Sequence, residues 1–227
     1  MIQEEDIENL NKTKLSWFQE KIVVWGGQNL RVFPWRQTQD PYAILVAEFL
    51  LQQTDAPRVL TVYQQLLKQF PTLRTLSDAP VQEIASILKP LGLHYRADRL
   101  HQIARAIVED PVCEGEIPND EAKLIRFKGI GRYIARSICA NAFSQSTAVL
   151  DTNISRVLQR FFGLTPRRKR ARDDRYLWET AQKIAPCTNM GLWNLTLIDF
   201  GAVVCTHRKP SCSDCPLQEQ CQYFHMK

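Results

Sequence analysis

Residues Arg126–Asn153 read RFKGIGRYIARSICANAFSQSTAVLDTN. Gly129-Ile130-Gly131 sits between two helix-like segments, and Asp151 opens a third. Two glycines two apart let the backbone turn tightly and come close to a bulky group, because neither carries a Cβ. The helix expected from Arg132 presents unpaired N–H groups and the positive end of its dipole beside that turn. A phosphate group fits such a site. A plain helix-turn-helix with a glycine turn explains GxG as well, so the flanking sequence has to decide.

The whole chain bounds the answer. With 227 residues, 44% hydrophobic and 23% charged, it has room for one large globular domain or two small ones. A net charge of +5 permits a polyanionic partner without demanding one. No apolar run is long enough to span a bilayer, and the acidic, polar start MIQEEDIENLNKTKL is no secretory signal. A cytoplasmic protein with no membrane partner is expected, and its thiols stay reduced. Seven cysteines, four of them crowded at one end, then read as ligands rather than disulfides.

Helical periodicity runs through the chain. Ile7, Leu10, Leu15, Phe18, Ile22, Val23 and Trp25 suit an amphipathic helix, which Gly26-Gly27 is expected to stop. Asp40-Pro41 reads as cap and first residue of a helix over 41–52 that is apolar nearly all round. Further helices are expected at 55–69, 80–88 (capped by Ser77 or Asp78), 95–109, 119–126, 151–162, 174–185 and 190–204. Pro111–Pro118 reads as a loop, and PRRKRARDD (166–174) as a charged, solvated one with an option on DNA backbone. Nothing alternates with period two over a useful length, so no sheet is expected.

Cys205, Cys212, Cys215 and Cys221 give C-x6-C-x2-C-x5-C. Four thiolates can hold zinc or a [4Fe-4S] cluster, and one compact loop suits the cube-shaped cluster better than the paired CxxC of zinc ribbons. Cys113, Cys139 and Cys187 read as ordinary buried thiols. PWRQTQDPYAILVAEFLLQQT, KGIGRYIARSICANAF, LDTNISRVLQRFFG and LIDFGAVVCTHRKPSCSDCPLQEQC together resemble the endonuclease III/MutY superfamily of helix-hairpin-helix (GPD) DNA glycosylases over nearly the whole chain. That resemblance implies an all-α, two-lobed fold. A six-helix barrel with the hairpin would cover 28–142, and a [4Fe-4S] cluster lobe would join 1–27 to 143–227. It also implies double-stranded DNA with a mismatched or damaged base as partner, a monomer, and work on a prokaryotic nucleoid.

The resemblance assigns roles that the residue types support. Asp151 reads plainly as an N-cap, and the family places its catalytic carboxylate there, beside the sugar that becomes cationic when the base leaves. Glu48, an acid in an apolar helix, tends toward a raised pKa and matches through Glu-x-x-x-Gln-Gln-Thr the MutY glutamate that protonates adenine; a structural hydrogen-bonder is the plainer reading. Tyr133 stands where endonuclease III has the lysine that opens an AP-lyase route, and a phenol forms no Schiff base. Gln53 resembles the wedge that fills the space of the extruded base, with Gln52, His94 and Tyr95 as lesser candidates. Gly129, Gly131, Lys128 and Arg132 would meet the DNA backbone, with Phe127-Lys128 replacing the usual Leu-Pro. The four tail cysteines would be the cluster ligands.

MutY enzymes normally carry a further C-terminal domain, and this chain ends soon after Cys221. Length and Tyr133 favour the archaeal-type mismatch glycosylases, which remove thymine or uracil opposite guanine. Gln52-Gln53 leans toward MutY, an adenine glycosylase acting opposite guanine or 8-oxoguanine. A non-catalytic DNA-binding module is the alternative of another class, which Asp151 and Glu48 speak against.

Overall fold

The structure is a computed structural model that describes residues 11–92, 95–186 and 188–226. Among these every regular element is helical. The α-helices are α1 Lys12–Asn29, α2 Pro41–Leu50, α3 Ala56–Gln69, α4 Leu73–Ser77, α5 Val81–Leu88, α6 Tyr95–Glu109, α7 Glu121–Ile125, α8 Arg132–Ala142, α9 Thr152–Phe162, α10 Arg175–Ile184, α11 Met190–Val203 and α12 Gln222–His225. No helix among the described residues is long and apolar enough to cross a membrane.

The chain forms two compact units. One holds the described residues up to Arg31 and from Ser146 onward; the other is Val32–Gln145. In the second unit α2 is the central element. Eight of its ten residues are buried, as its nearly continuous apolar sequence demands. It packs against α8 and α3, while α6 packs against α4 and α5. Asp40 caps α2 through Tyr42 N at 2.9 Å, with Pro41 at the first helical position. Helix α4 escapes sequence periodicity because it is one turn long. It is fixed by a reciprocal capping box between Thr72 and Thr75. Ser77 therefore ends α4 instead of capping the next helix, and α5 starts after Pro80 with no side-chain cap.

In the first unit α11 lies against α9 and α1, and α9 also meets α12. Phe18 of α1 packs on Phe161, Phe162 and Trp193, a cluster of aromatic rings with centroids 4.7 to 5.9 Å apart. Arg31 closes this unit's first segment with a forked pair to Asp199. Its Nε donates to Oδ1 at 2.8 Å and its backbone N–H to Oδ2 at 2.9 Å, with the Asp199 side chain fully buried.

Gly26-Gly27 does not stop α1, which continues to Asn29. The reason is tertiary. A Cβ on Gly26 would lie 2.6 Å from Thr196 Oγ1, so this glycine lets α1 and α11 approach, whereas Gly27 faces open space. Accordingly, Gly26→Ala is expected to destabilise the protein by about 1–3 kcal/mol through overpacking. Gly27→Ala is expected to stabilise it by about 0.5–1 kcal/mol, the ordinary gain of replacing a helical glycine. Denaturant unfolding of both variants checks the pair; equal shifts would refute the close approach.

Candidate active site

Asp151 is the N-cap of α9. Its Oδ1 accepts from Ile154 N at 2.7 Å, and its Oδ2 accepts from Asn153 Nδ2 at 2.8 Å. Those donors favour the carboxylate, but desolvation by packed protein outweighs them and raises its pKa above the usual aspartate value. Asn153 is itself held, because Arg156 Nη2 donates to its Oδ1 at 2.8 Å. The acid that the sequence singles out is thus oriented by two residues that it does not.

The same helix reaches the cysteine loop. Arg156 Nε donates to Cys205 O at 2.7 Å, and Arg160 Nη1 donates to Thr206 O at 2.7 Å and toward Cys205 Sγ at 3.4 Å. Arg160 also stacks over Tyr223, 4.5 Å from the ring centroid. Cys205, Cys212, Cys215 and Cys221 are all half-buried. Burial first, and the neighbouring cysteines after it, push Cys215 up to about 11 against the backbone N–H of Leu217. Backbone N–H groups of Phe224 and Tyr223 face Cys221. Among the described residues no three His, Cys, Asp or Glu side chains gather closely enough to hold a single metal ion. The donor set does fit a thiolate-held anionic cluster: four thiols in one short loop, N–H donors aimed at sulfur, and Arg156 and Arg160 alongside.

In the other unit the hairpin runs from α7 through Arg126–Gly131 into α8. Gly129 has φ +113°, a conformation that favours glycine, and a Cβ there would also crowd Ile103 Cδ1 at 2.9 Å. Gly131, the N-cap of α8, is exposed, and a Cβ there would have nothing within 4 Å, which leaves the helix N-terminus accessible. Lys128 is exposed beside it. Arg132 lies 3.4 Å from Glu121, which also holds Arg136 at 2.9 Å.

Glu48 is half-buried in α2, the polar exception in a buried helix. Ser137 Oγ, 3% exposed, donates to its Oε1 at 2.5 Å, and Asn141 Nδ2 donates to Ser137 Oγ at 3.1 Å. Tyr133 precedes Ser137 by one turn of α8, on the same face, and packs half-buried on the core of this unit. Ser137 and Asn141 carry no sequence signal, since polar residues in a helix usually face water. Gln52 and Gln53 are exposed just past the end of α2. Tyr95 is exposed at the start of α6; His94, like Cys187, lies outside the described residues.

The charged loop after α9 is less free than its composition suggests. Buried Asp174 accepts from Arg167 N at 2.5 Å and Arg168 N at 2.9 Å. A cavity of about 450 Å³ there is lined by Arg167, Arg168 and Arg175 against Asp173, Asp174 and Glu179, a balanced set with no preference for an anion.

A helical chain with a glycine hairpin at a helix N-terminus and a half-buried, helix-capping aspartate has the features of a DNA-repair enzyme of the helix-hairpin-helix kind. Residues 46–198 match the HhH-GPD superfamily base excision DNA repair protein, and the chain belongs to that superfamily. It is 36% identical over 222 residues to the thymine-DNA glycosylase of Aeropyrum pernix, covering 96% of both chains. It is 32% identical over 208 residues to the adenine DNA glycosylase of Buchnera aphidicola subsp. Baizongia pistaciae, covering 91% of this chain but 58% of that protein. A solved thermostable thymine-DNA glycosylase superposes with a TM-score of 0.88 at 31% identity, over 95% of this chain and 99% of the other.

Asp151→Asn keeps the cap and removes the ionisable group. The folded carboxyl has a pKa raised from 3.8, so the folded protein holds that proton more tightly than the unfolded chain does. Wild-type stability should therefore fall, relative to the variant, as pH rises from 3.8 through the raised value, and the difference should stay constant above it. Thermal unfolding of both proteins between about pH 3 and pH 8 tests this across the carboxylate range; parallel curves throughout would show that burial does not penalise Asp151.

Proposed function

We propose that this protein is a monofunctional DNA glycosylase that hydrolyses the N-glycosidic bond of thymine or uracil opposite guanine. The observation that carries the base assignment is likeness from end to end: 36% identity to the Aeropyrum pernix thymine-DNA glycosylase over 96% of each chain. The fold likeness to a thermostable thymine-DNA glycosylase points the same way. We take it to work as a monomer on duplex DNA, in the cytoplasm of a prokaryote.

The roles follow from the chemistry of each residue. Exposed Lys128, the Gly129–Gly131 turn and Arg132 meet backbone phosphates, and Gln53, with Gln52, occupies the gap left by the extruded nucleotide. Asp151, ionised, stabilises positive charge developing on the sugar and orients the attacking water. That water supplies the hydroxyl that ends on the anomeric carbon, and Asp151 takes up its proton. Glu48 donates a hydrogen bond or proton to the departing base, with Ser137 holding its other state in place. Tyr133 lines the nucleotide without attacking it. A phenol cannot become an imine, so the reaction stops at the abasic site.

Glu48 with Gln52-Gln53-Thr54 favours a second reading, removal of adenine opposite guanine or 8-oxoguanine, alongside the likeness to adenine DNA glycosylases. An excision panel on otherwise identical duplexes separates the two. T·G and U·G should be processed, with strand breaks appearing only after alkali. Asp151→Asn should lose at least about 10²–10³ in base release, the scale of a lost electrostatic stabiliser, while still binding DNA. Preferred release of adenine would install the second reading, and full activity of Asp151→Asn would remove the role given to that residue.

Cys205, Cys212, Cys215 and Cys221 would hold a [4Fe-4S] cluster, which braces the loop and takes no part in base excision. Purified protein should be brown, with about four irons per chain. Stoichiometric zinc without iron would reject the cluster.

A further inference from the structure

Gln53 sits in the left-handed region at φ 57°, a conformation that a residue with a side chain rarely adopts. A turn holding it there needs support from outside itself. The support is Arg96. This side chain is 2% exposed, although its neighbour Tyr95 is 49% exposed. Arg96 Nη1 donates to Leu50 O at 3.0 Å and to Thr54 Oγ1 at 3.0 Å, and Nη2 donates to Gln52 O. Leu50 O is the last carbonyl of α2, at the end where the helix dipole favours a cation, and Gln52 O lies just past the helix cap, immediately before Gln53. The third lies immediately past Gln53. The guanidinium thus grips the chain on both sides of Gln53 while leaving its side chain exposed.

We propose that Arg96 is a positioning residue for duplex opening, holding the Gln52-Gln53-Thr54 turn pre-formed so that Gln53 enters the gap left by the extruded base. The inference rests on the role given to Gln53 above. Burying a cation among neutral oxygens is costly. Its return here is a rigid turn, and ordering that turn in advance removes a cost from the opening step. Arg96 is the second residue of α6, directly after exposed Tyr95, so the same helix start that carries this DNA-contact candidate also braces the Gln53 turn. Only a planar fork meets three acceptors in this arrangement; a lysine ammonium is a single point that cannot span them.

The experiment compares Arg96→Lys, Thr54→Val and Gln53→Ala with wild type. Two substrates are used: the duplex with the preferred mismatch, and the same target nucleotide in a single strand, where little opening is needed. 2-Aminopurine next to the target reports extrusion, and thermal unfolding reports folding. Arg96→Lys should release base from the duplex about tenfold more slowly or worse, with a weaker 2-aminopurine signal and single-strand activity near wild type. Thr54→Val, which removes one acceptor and keeps the shape, should show a smaller defect of the same kind. The Arg96→Lys/Gln53→Ala double variant should be no worse than the poorer single variant. Equal loss on both substrates, or normal duplex activity in Arg96→Lys, would overturn the proposal. Full duplex activity in Gln53→Ala would remove the role of Gln53, and this inference with it. A defect in Gln53→Ala beside normal Arg96→Lys would remove Arg96 alone.

Discussion

One guanidinium ties together the parts of the first unit that matter chemically. Arg156 donates from Nη2 to Asn153 Oδ1 and Gly201 O, from Nε to Cys205 O, and from Nη1 to Thr152 O. Asn153 passes this constraint to Asp151, so the carboxylate and the first residue of the cysteine loop are fixed by the same side chain. Removing it would strand carbonyls at the end of α11 and at the start of the loop, and would free the amide that orients Asp151. The cost of desolvating Arg156 is visible in its pKa, lowered by burial and partly restored by the Cys205 and Asp151 charges. The cysteine loop is therefore mechanically continuous with the acid, whatever group the loop carries.

The second unit repeats this logic with different chemistry. Glu48 is oriented by Ser137, Ser137 by Asn141, and both belong to the helix that the glycine hairpin starts. The turn proposed to meet a phosphate and the residue that holds the acid thus share one element, α8. Gly129 marks where that element begins, because its positive φ strains any other residue and a Cβ there would crowd Ile103 Cδ1. A side chain at this position would have to displace the Ile103 side chain and hold a strained φ at the start of the turn that leads into α8.

What can be read from the sequence divides along a physical line. Features set by neighbours in the chain are legible: the Asp40-Pro41 and Asp151 caps, the apolar α2, the spacing of the four cysteines, the all-helical pattern. Features set by partners far along the chain are not. Ser137 meets Glu48 across 89 residues, Arg96 meets Leu50 across 46, and Arg156 meets Cys205 across 49. No periodicity encodes such pairs, and each donor would pass for an ordinary solvated residue. Gly26-Gly27 fails in the opposite direction. The local rule says stop, yet packing on Thr196 makes the glycine a requirement of a continuous helix. Helix α4 is hidden for a third reason, since a single turn is too short to show a period.

The desolvation of half-buried Asp151 is the least expected design choice, because it makes the ionised form less favourable than in the unfolded chain. In a purely structural cap this would be wasteful; a serine would satisfy Ile154 N with no charge to desolvate. The choice makes sense if a positive charge arrives. When the sugar becomes cationic, the attraction between the two charges is strong for the same reason that the lone carboxylate was costly, namely low polarisability around it. In the role proposed for Asp151, the penalty is present in the free protein and would be offset in the transition state, which is the condition for accelerating the chemical step rather than merely tightening binding. The residue type of Tyr133 agrees with the role proposed for Asp151. In the role proposed for Tyr133, an amine at its position would offer a covalent route that needs no water, whereas a phenol would leave stabilisation of the cation as the main means of catalysis and give the carboxylate its full weight.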